Sequence, residues 1–148
     1  MKFLAVLCIF IFTFVFAYGC KNSPCGAKEV SVTSNGSCKC VKASDFNAVT
    51  VETTKQSEWD VGVTHFSRYG VQVHNNGDST ATDIHMGFDP KAIGQAFDIS
   101  SDIPDLLNPK ATYVQFPKIE KNSSSGFNFT IPGRNEPYFV IDAANFNN

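Results

Sequence analysis

The feature that most constrains the fold is an alternation of apolar and polar residues with a period of two, which begins after Asp45. Successive side chains of a β-strand point to opposite faces, so this alternation predicts strands that place one face in a core. The apolar positions hold mainly Val, Ile, Phe and Tyr, which strands favour. The predicted strands lie at residues 49–54, 59–64, 69–74, 83–88, 127–131 and 138–141.

Residues typical of turns separate the predicted strands. Asn76 and Gly77 favour a tight turn after the strand at 69–74, and Pro132 ends a later strand. Six or more short strands at this spacing, without a stretch of convincing helical period, are typical of sandwiches. We therefore predict an all-β fold, a single antiparallel immunoglobulin-like β-sandwich, over residues 46–148.

The chain begins with a segment typical of a secretory signal peptide. Met1 and Lys2 form a short basic start, an apolar run follows over residues 3–16, and small residues precede Cys20. The apolar run is too short for a transmembrane helix. We therefore expect cleavage after residue 19, which makes the mature protein a secreted chain of 129 residues without a membrane span.

The four cysteines of the mature chain all lie in a short N-terminal segment, residues 20–45. An even number of cysteines in a secreted chain predicts two disulfides, and the sequence alone leaves three pairings open. A bond between Cys38 and Cys40 would be strained by so short a loop, so we expect Cys20 and Cys25 each to pair with one of them. A four-thiolate zinc site is the alternative, but a one-residue gap is a poor ligand spacing, and no metal is expected.

Three Asn-x-Ser/Thr triplets are candidate N-glycosylation acceptors in a secreted chain, at Asn35, Asn122 and Asn128. Such acceptors are expected at the protein surface. Asn128 lies between Phe127 and Phe129, so we expect it on the solvent face of a strand whose other face is in the core.

The net charge limits the classes of partner. The mature chain would carry 11 Lys and Arg residues against 14 Asp and Glu residues, which gives a net charge of −3. No basic patch therefore indicates nucleic acid or an anionic membrane as a partner.

The titratable residues form no convincing catalytic or metal-binding pattern. His74 and His85 flank the turn at residues 75–78 and could face each other across a hairpin, but no third metal ligand accompanies them. Glu58 and Asp60 could share a strand face, as carboxylates of glycosidases do, yet such a pair is more often simply solvated. We therefore expect no enzymatic activity and no cofactor.

The aromatic residues are more informative, since 13 of the 129 mature residues are Phe, Tyr or Trp. Most follow the inward alternation and are expected in the core. Trp59 is the sole tryptophan, Phe66 breaks the alternation of its strand, and Tyr113 precedes a proline. Exposed rings of this kind stack on the apolar faces of sugars while polar neighbours bind the hydroxyl groups, although large aromatic side chains are more often buried.

Several short motifs follow one another along about residues 49–141. They are Ser57-Glu58-Trp59 with Gly62, Tyr69-Gly-Val-Gln-Val-His-Asn75, Tyr113-Val-Gln-Phe-Pro117, Ser125-Gly126-Phe127, and Pro137-Tyr138-Phe139-Val140. Together they resemble the cellulose-binding β-sandwich modules known as carbohydrate-binding module family 49.

This resemblance implies a carbohydrate-binding-module-like sandwich that contacts cellulose through exposed aromatic side chains. Carried over by position, it nominates Trp59, His65, Phe66 and Tyr113 as carbohydrate-binding residues. The chain departs from the family at residues 95–98, where Gln-Ala-Phe-Asp stands in place of a second tryptophan. The cysteine-bearing N-terminus has no counterpart in the family.

The expected function is thus that of a secreted, non-catalytic protein that binds cellulose or another glucan in an extracellular matrix or wall, with matrix proteins as further candidate partners. The alternative is a small secreted protein ligand or matrix-assembly protein, recognised by protein partners through a mixed surface patch. A third hypothesis, an extracellular hydrolase, would need Glu58 or Asp60 opposite another acid across a cleft.

Overall fold

The computed structural model describes residues 25–89, 95–101 and 113–147, so the expected signal peptide at 1–19 and Cys20 lie outside the described residues. Within these ranges the chain forms nine β-strands and a short 3-10 turn at Ala43–Asp45. The strands are β1 (Glu29–Ser34), β2 (Ser37–Lys42), β3 (Val49–Val61), β4 (Thr64–Asn75), β5 (Thr80–Phe88), β6 (Phe97–Ser101), β7 (Tyr113–Ile119), β8 (Ser123–Pro132) and β9 (Phe139–Asn147).

The nine strands form two sheets that enclose one core. The five-stranded sheet has the order β2-β1-β9-β5-β7, and the four-stranded sheet has the order β3-β4-β8-β6. Paired strands run antiparallel, except that β1 and β9 run parallel. The predicted all-β sandwich is therefore confirmed.

The cysteine-bearing segment extends one of the sheets. Residues 31–34 of β1 pair with residues 143–146 of β9, and β2 forms the edge of the five-stranded sheet. A disulfide joins Cys25 to Cys40, with 5.6 Å between their Cα atoms, which agrees with the expected crossing of the cysteines. Cys38 is also disulfide-bonded. These three sulfur atoms are therefore committed to disulfides, whereas a zinc site would need them as thiolates.

The core is built from alternate residues of strands in both sheets. Tyr69 on β4 stacks on Phe129 on β8 with ring centroids 6.0 Å apart, and Phe139 on β9 meets Phe129 edge-on. Burial of each large apolar side chain stabilises the fold by about 2 kcal/mol. Further buried apolar residues come from both sheets: Val71, Val73, Ile84, Met86, Val114, Phe116, Phe127 and Ile131.

The predicted strand at residues 59–64 is wrong, because the chain reverses direction there. β3 ends at Val61, and Gly62 adopts a φ of +62°, a conformation that favours glycine. β4 then begins at Thr64, which pairs with Val61. Val61 and Val63 consequently lie at the tip of a long β3–β4 hairpin, where both side chains are exposed.

Asn75 is a buried polar residue that joins three segments of backbone. Its Nδ2 donates to the carbonyl oxygens of Ser79, at 2.9 Å, and Ile119, at 3.0 Å. Its Oδ1 accepts the N–H of Gly77 at 2.9 Å. Because Ile119 ends β7 in the opposite sheet, these hydrogen bonds fix the point at which the chain crosses between the two sheets.

We predict that Asn75→Ala lowers the free energy of unfolding by about 3 kcal/mol, since it leaves buried backbone groups without partners. Urea unfolding followed by tryptophan fluorescence measures this loss. Asn76→Ala is the matched control, because its side chain is exposed and its hydrogen bonds can be replaced by water. Equal stability of the two variants would contradict the proposed role of Asn75.

Candidate functional site

The outer face of the four-stranded sheet carries an unusual set of aromatic side chains. On β4, Tyr69 and Val71 point into the core, so Phe66 and Arg68 point outward. The register of β3 and β4 pairs Trp59 with Phe66, which places both on this outer face.

A β-bulge determines which way Trp59 faces. Before the bulge, Lys55 pairs with Tyr69, and after it Ser57 pairs with Arg68, so Gln56 is the additional residue. One inserted residue exchanges the two faces of a strand. Without it, Trp59 would continue the inward alternation of the first half of β3 and would point to the core side.

Trp59, Phe66 and Phe97 form a continuous aromatic row across the outer face. Trp59 and Phe66 are stacked with centroids 6.0 Å apart and planes inclined by 26°. Phe66 meets Phe97 of β6 edge-on, at 5.6 Å and 89°. Trp59 is 38% exposed and Phe97 is 45% exposed, so two rings of the aromatic row remain accessible to a ligand.

Polar side chains border the aromatic row. Arg68 forms an ion pair with Asp98, next to Phe97. The bulged Gln56 donates to Oδ1 of Asn128 at 2.6 Å and thereby spans from β3 to β8. It passes over Gly70 on the strand between them, where a Cβ atom would lie only 2.6 Å from Gln56 Nε2.

A polar cleft of about 360 Å³ opens on the same sheet, beyond Asn128. Gly126 lies in this cleft, and a Cβ atom there would be 2.2 Å from the carbonyl oxygen of Val71, so only glycine fits without a backbone shift. The cleft is lined mainly by amide and hydroxyl groups, those of Gln72, Ser100, Ser124, Ser125 and Asn128. Aromatic surface and hydrogen-bonding groups therefore occur side by side.

His65 is next to Phe66 in the sequence but lies on the opposite face of the hairpin. Its Nδ1 is 2.7 Å from Oδ1 of Asp60, and its Nε2 is 3.5 Å from Oε2 of Glu58. Glu58 also pairs with Lys55 at 2.9 Å, and this hydrogen bond lowers the pKa of the Glu58 carboxyl.

Tyr113 lies on the outer face of the other sheet, away from the aromatic row. It begins β7, and Val114 beside it is buried, which turns Tyr113 outward. Its ring stacks on that of His85 on β5, with centroids 4.7 Å apart and planes within 6° of parallel. Of the four nominated residues, the structure thus brings together only Trp59 and Phe66.

His74 and His85, which could have faced each other across a hairpin, lie apart in the structure. β4 and β5 are consecutive in the chain, but they belong to different sheets. His74 lies 3.5 Å from Glu52 on β3, whereas His85 stacks on Tyr113.

Asp142 lies near His85 on the outer face of the five-stranded sheet. A Cβ atom at Gly87 would be 2.3 Å from Asp142 Oδ2, so the carboxylate lies directly over the backbone of β5. Asp142 is an exposed residue, but the partial burial of its carboxyl raises the pKa of that group, and the charge of His85 partly offsets this by lowering it. The folded state therefore holds the proton of Asp142 more tightly than the unfolded chain does.

We predict that Asp142→Asn raises the melting temperature at pH 7 and that this gain shrinks as the pH falls to about 4. A carboxyl with a raised pKa costs stability as the pH rises through its titration, and the amide removes that cost. Thermal melts at the two pH values measure the effect. Glu136→Gln, which removes an exposed carboxylate from the segment between β8 and β9, is the control. A gain that is the same at both pH values would contradict this explanation.

The three candidate glycosylation acceptors differ in their surroundings. Asn35 and Asn122 are exposed and have positive φ values in the turns before β2 and β8. Asn128 is half-buried on the outer face of β8, between the buried Phe127 and Phe129, as the alternation predicts. A glycan on Asn128 would lie beside the aromatic row.

Phe97 is the part of the site that sequence reasoning missed. It stands in the segment that replaces the second tryptophan expected from the family resemblance, and this was the available signal. Sequence reasoning also missed the bulge at Gln56 that turns Trp59 outward. This bulge depends on the pairing of β3 with β4 and leaves no recognisable motif in the sequence.

Comparison with known proteins gives this chain no family. No family model matches it, and no curated protein matches it. One solved structure, described as the X-ray structure of Northeast Structural Genomics Consortium target SoR45, is similar at 16% identity and a TM-score of 0.26, over 65% of this chain and 81% of that one.

Within the described ranges, no helix is long and apolar enough to cross a membrane.

Proposed function

We propose that this protein is a secreted, non-catalytic carbohydrate-binding protein whose ligand is cellulose or a related glucan of an extracellular matrix or wall. The observation that carries the proposal is the aromatic row of Trp59, Phe66 and Phe97. These rings contact one another yet leave much of Trp59 and Phe97 exposed on the outside of a sheet.

The chemistry of the aromatic row suits a sugar better than an ion. Exposed apolar rings gain free energy when they cover another apolar surface, and the C–H faces of a β-linked glucose chain offer such a surface. Arg68 and Asp98 neutralise each other beside the row, so this part of the surface does not favour a strongly charged ligand.

The groups around the row can bind sugar hydroxyls. Gln56 and Asn128 already hold each other in position, which lowers the entropic cost of using them as hydrogen-bond partners. The polar cleft beyond Asn128 adds further amide and hydroxyl groups along the same face. Since only a few rings take part, we expect a dissociation constant in the micromolar range or weaker, of about 1 µM to 1 mM.

The arrangement of the carboxylates favours binding over hydrolysis. Glu58 and Asp60 both face His65 on the side of the hairpin away from the row. A ligand on the aromatic row would therefore not lie between them.

We predict that Trp59→Ala abolishes at least nine-tenths of the retention of the protein on amorphous cellulose, while the protein stays folded. The indole is partly exposed, so its loss costs about 1 kcal/mol of stability, mostly from the Phe66 contact. Sedimentation with crystalline and amorphous cellulose, chitin and xylan measures retention, and a thermal melt measures folding.

Two control variants accompany that experiment. Trp59→Phe keeps a ring and should keep most of the binding. Tyr138→Ala removes another exposed aromatic side chain, which lies outside the row, and should bind as the wild type does. Loss of the cooperative melt in Trp59→Ala, or equal loss of binding in Tyr138→Ala, would count against the proposed site.

We also predict that Phe97→Ala weakens binding about tenfold, whereas His65→Ala leaves it within twofold. Phe97 belongs to the aromatic row, but His65 faces the other side of the hairpin. Isotherms on the polysaccharide that retains the wild type give both values. Stronger loss from His65→Ala than from Phe97→Ala would move the site to the opposite face.

A second candidate function is recognition by a protein partner. The fully exposed Val63 and the exposed Val61 form an apolar hairpin tip that a partner could cover. If the wild type is retained on none of the four polysaccharide preparations, the protein-ligand hypothesis takes precedence.

A further inference from the structure

The outer face of the five-stranded sheet carries a second exposed aromatic group. Tyr113 is 42% exposed and lies on His85 in an almost parallel stack. His85 lies on β5 between two buried residues, Ile84 and Met86. The packing of these neighbours in the core holds the backbone at His85, and with it the stack, in place. Among the described strands, β7, which begins with Tyr113, is the edge of this sheet.

Polar groups surround this stack in an ordered arrangement. The side chain of Asp142 lies over Gly87, which pairs with Tyr113 in the register of β5 and β7. Further along the strands, Asp83 accepts hydrogen bonds from Gln115 and from Asn145, the latter at 3.3 Å. An exposed ring thus lies next to carboxylate and amide groups held in place by the sheet.

We propose that this surface, formed by Tyr113, His85 and Asp142, is a second carbohydrate-binding site, and that one molecule therefore cross-links two glucan chains. The proposal rests on the proposed function, since it assigns the same class of ligand to a different surface. It extends that function from the binding of one glucan chain to the cross-linking of two glucan chains.

The sandwich geometry requires two separate ligand chains. The outer faces of two packed sheets point away from each other, with a core about 10 Å thick between the sheets. A stiff polysaccharide that lies on the aromatic row cannot bend around the edge to reach Tyr113. A monomer with both sites is therefore sufficient for cross-linking, and no dimer is needed.

The direct test is an NMR titration of the isotopically labelled protein, without its signal peptide and with its disulfides formed. The probe is a soluble hexasaccharide of the polysaccharide that retains the wild type. We expect two sets of shifted resonances, one around Trp59 and Phe97 and one around Tyr113 and His85. Trp59→Ala should abolish the first set, and Tyr113→Ala should abolish the second.

A second measurement tests cross-linking itself. Wild-type protein, confirmed to be monomeric by light scattering, should bundle dilute cellulose nanofibrils and raise their turbidity. Each single variant should still bind the hexasaccharide at its remaining site, too weakly on its own to hold the protein on the solid polysaccharide, and should lower bundling at least tenfold, because effective bivalency is lost. Tyr113→Phe keeps the ring and should restore most of the bundling that Tyr113→Ala loses.

The outcomes separate this proposal from the proposed function. Shifts around Trp59 alone, with unchanged bundling in Tyr113→Ala, would overturn the second site and leave the first intact. Absence of all shifts with every polysaccharide would overturn both. The titration of the wild type tests the second site without any substitution. The second site can therefore be accepted or rejected even if a variant fails to fold.

Discussion

The packing of aromatic and aliphatic side chains between the two sheets is the constraint on which the rest of the structure depends. In the core, Phe129 packs against both Tyr69 and Phe139, and these contacts fix which face of β4, β8 and β9 points inward. Once these faces are set, the residues that alternate with the buried ones on β4 and β8 point outward. The positions of Phe66 and Arg68 on the surface follow from the burial of Tyr69, and not from any preference of their own.

One departure from this regular alternation supplies the candidate site. The bulge at Gln56 reverses the phase of β3, so that Trp59 lies outside while Lys55 remains on the core side. The same insertion directs the Gln56 side chain over Gly70 to Asn128. A single additional residue therefore provides both the exposed tryptophan and the polar bridge that borders it.

The outer faces of the two sheets carry similar types of side chain but point away from each other. Each carries an exposed aromatic group, Trp59 with Phe97 on one and Tyr113 on the other, and each places amide or carboxylate groups beside it. The N-terminal strands widen the second sheet, and the Cys25–Cys40 disulfide ties β2 to the residues just before β1. One molecule of this protein therefore has an exposed aromatic group on each of its two outer faces, so two such surfaces do not require a second copy of the chain.

The sequence by itself determined the fold class, since a period of two with β-branched and aromatic residues admits few alternatives to strands around a core. It also identified Trp59 and Phe66 as candidate binding residues. It predicted that Cys25 pairs with Cys38 or Cys40. Only the tertiary structure decided that His65 and Tyr113 lie away from Trp59 and that Phe97 joins it. Strand pairing and sheet membership set those distances, and both depend on contacts between residues far apart in the chain, which a local pattern does not contain.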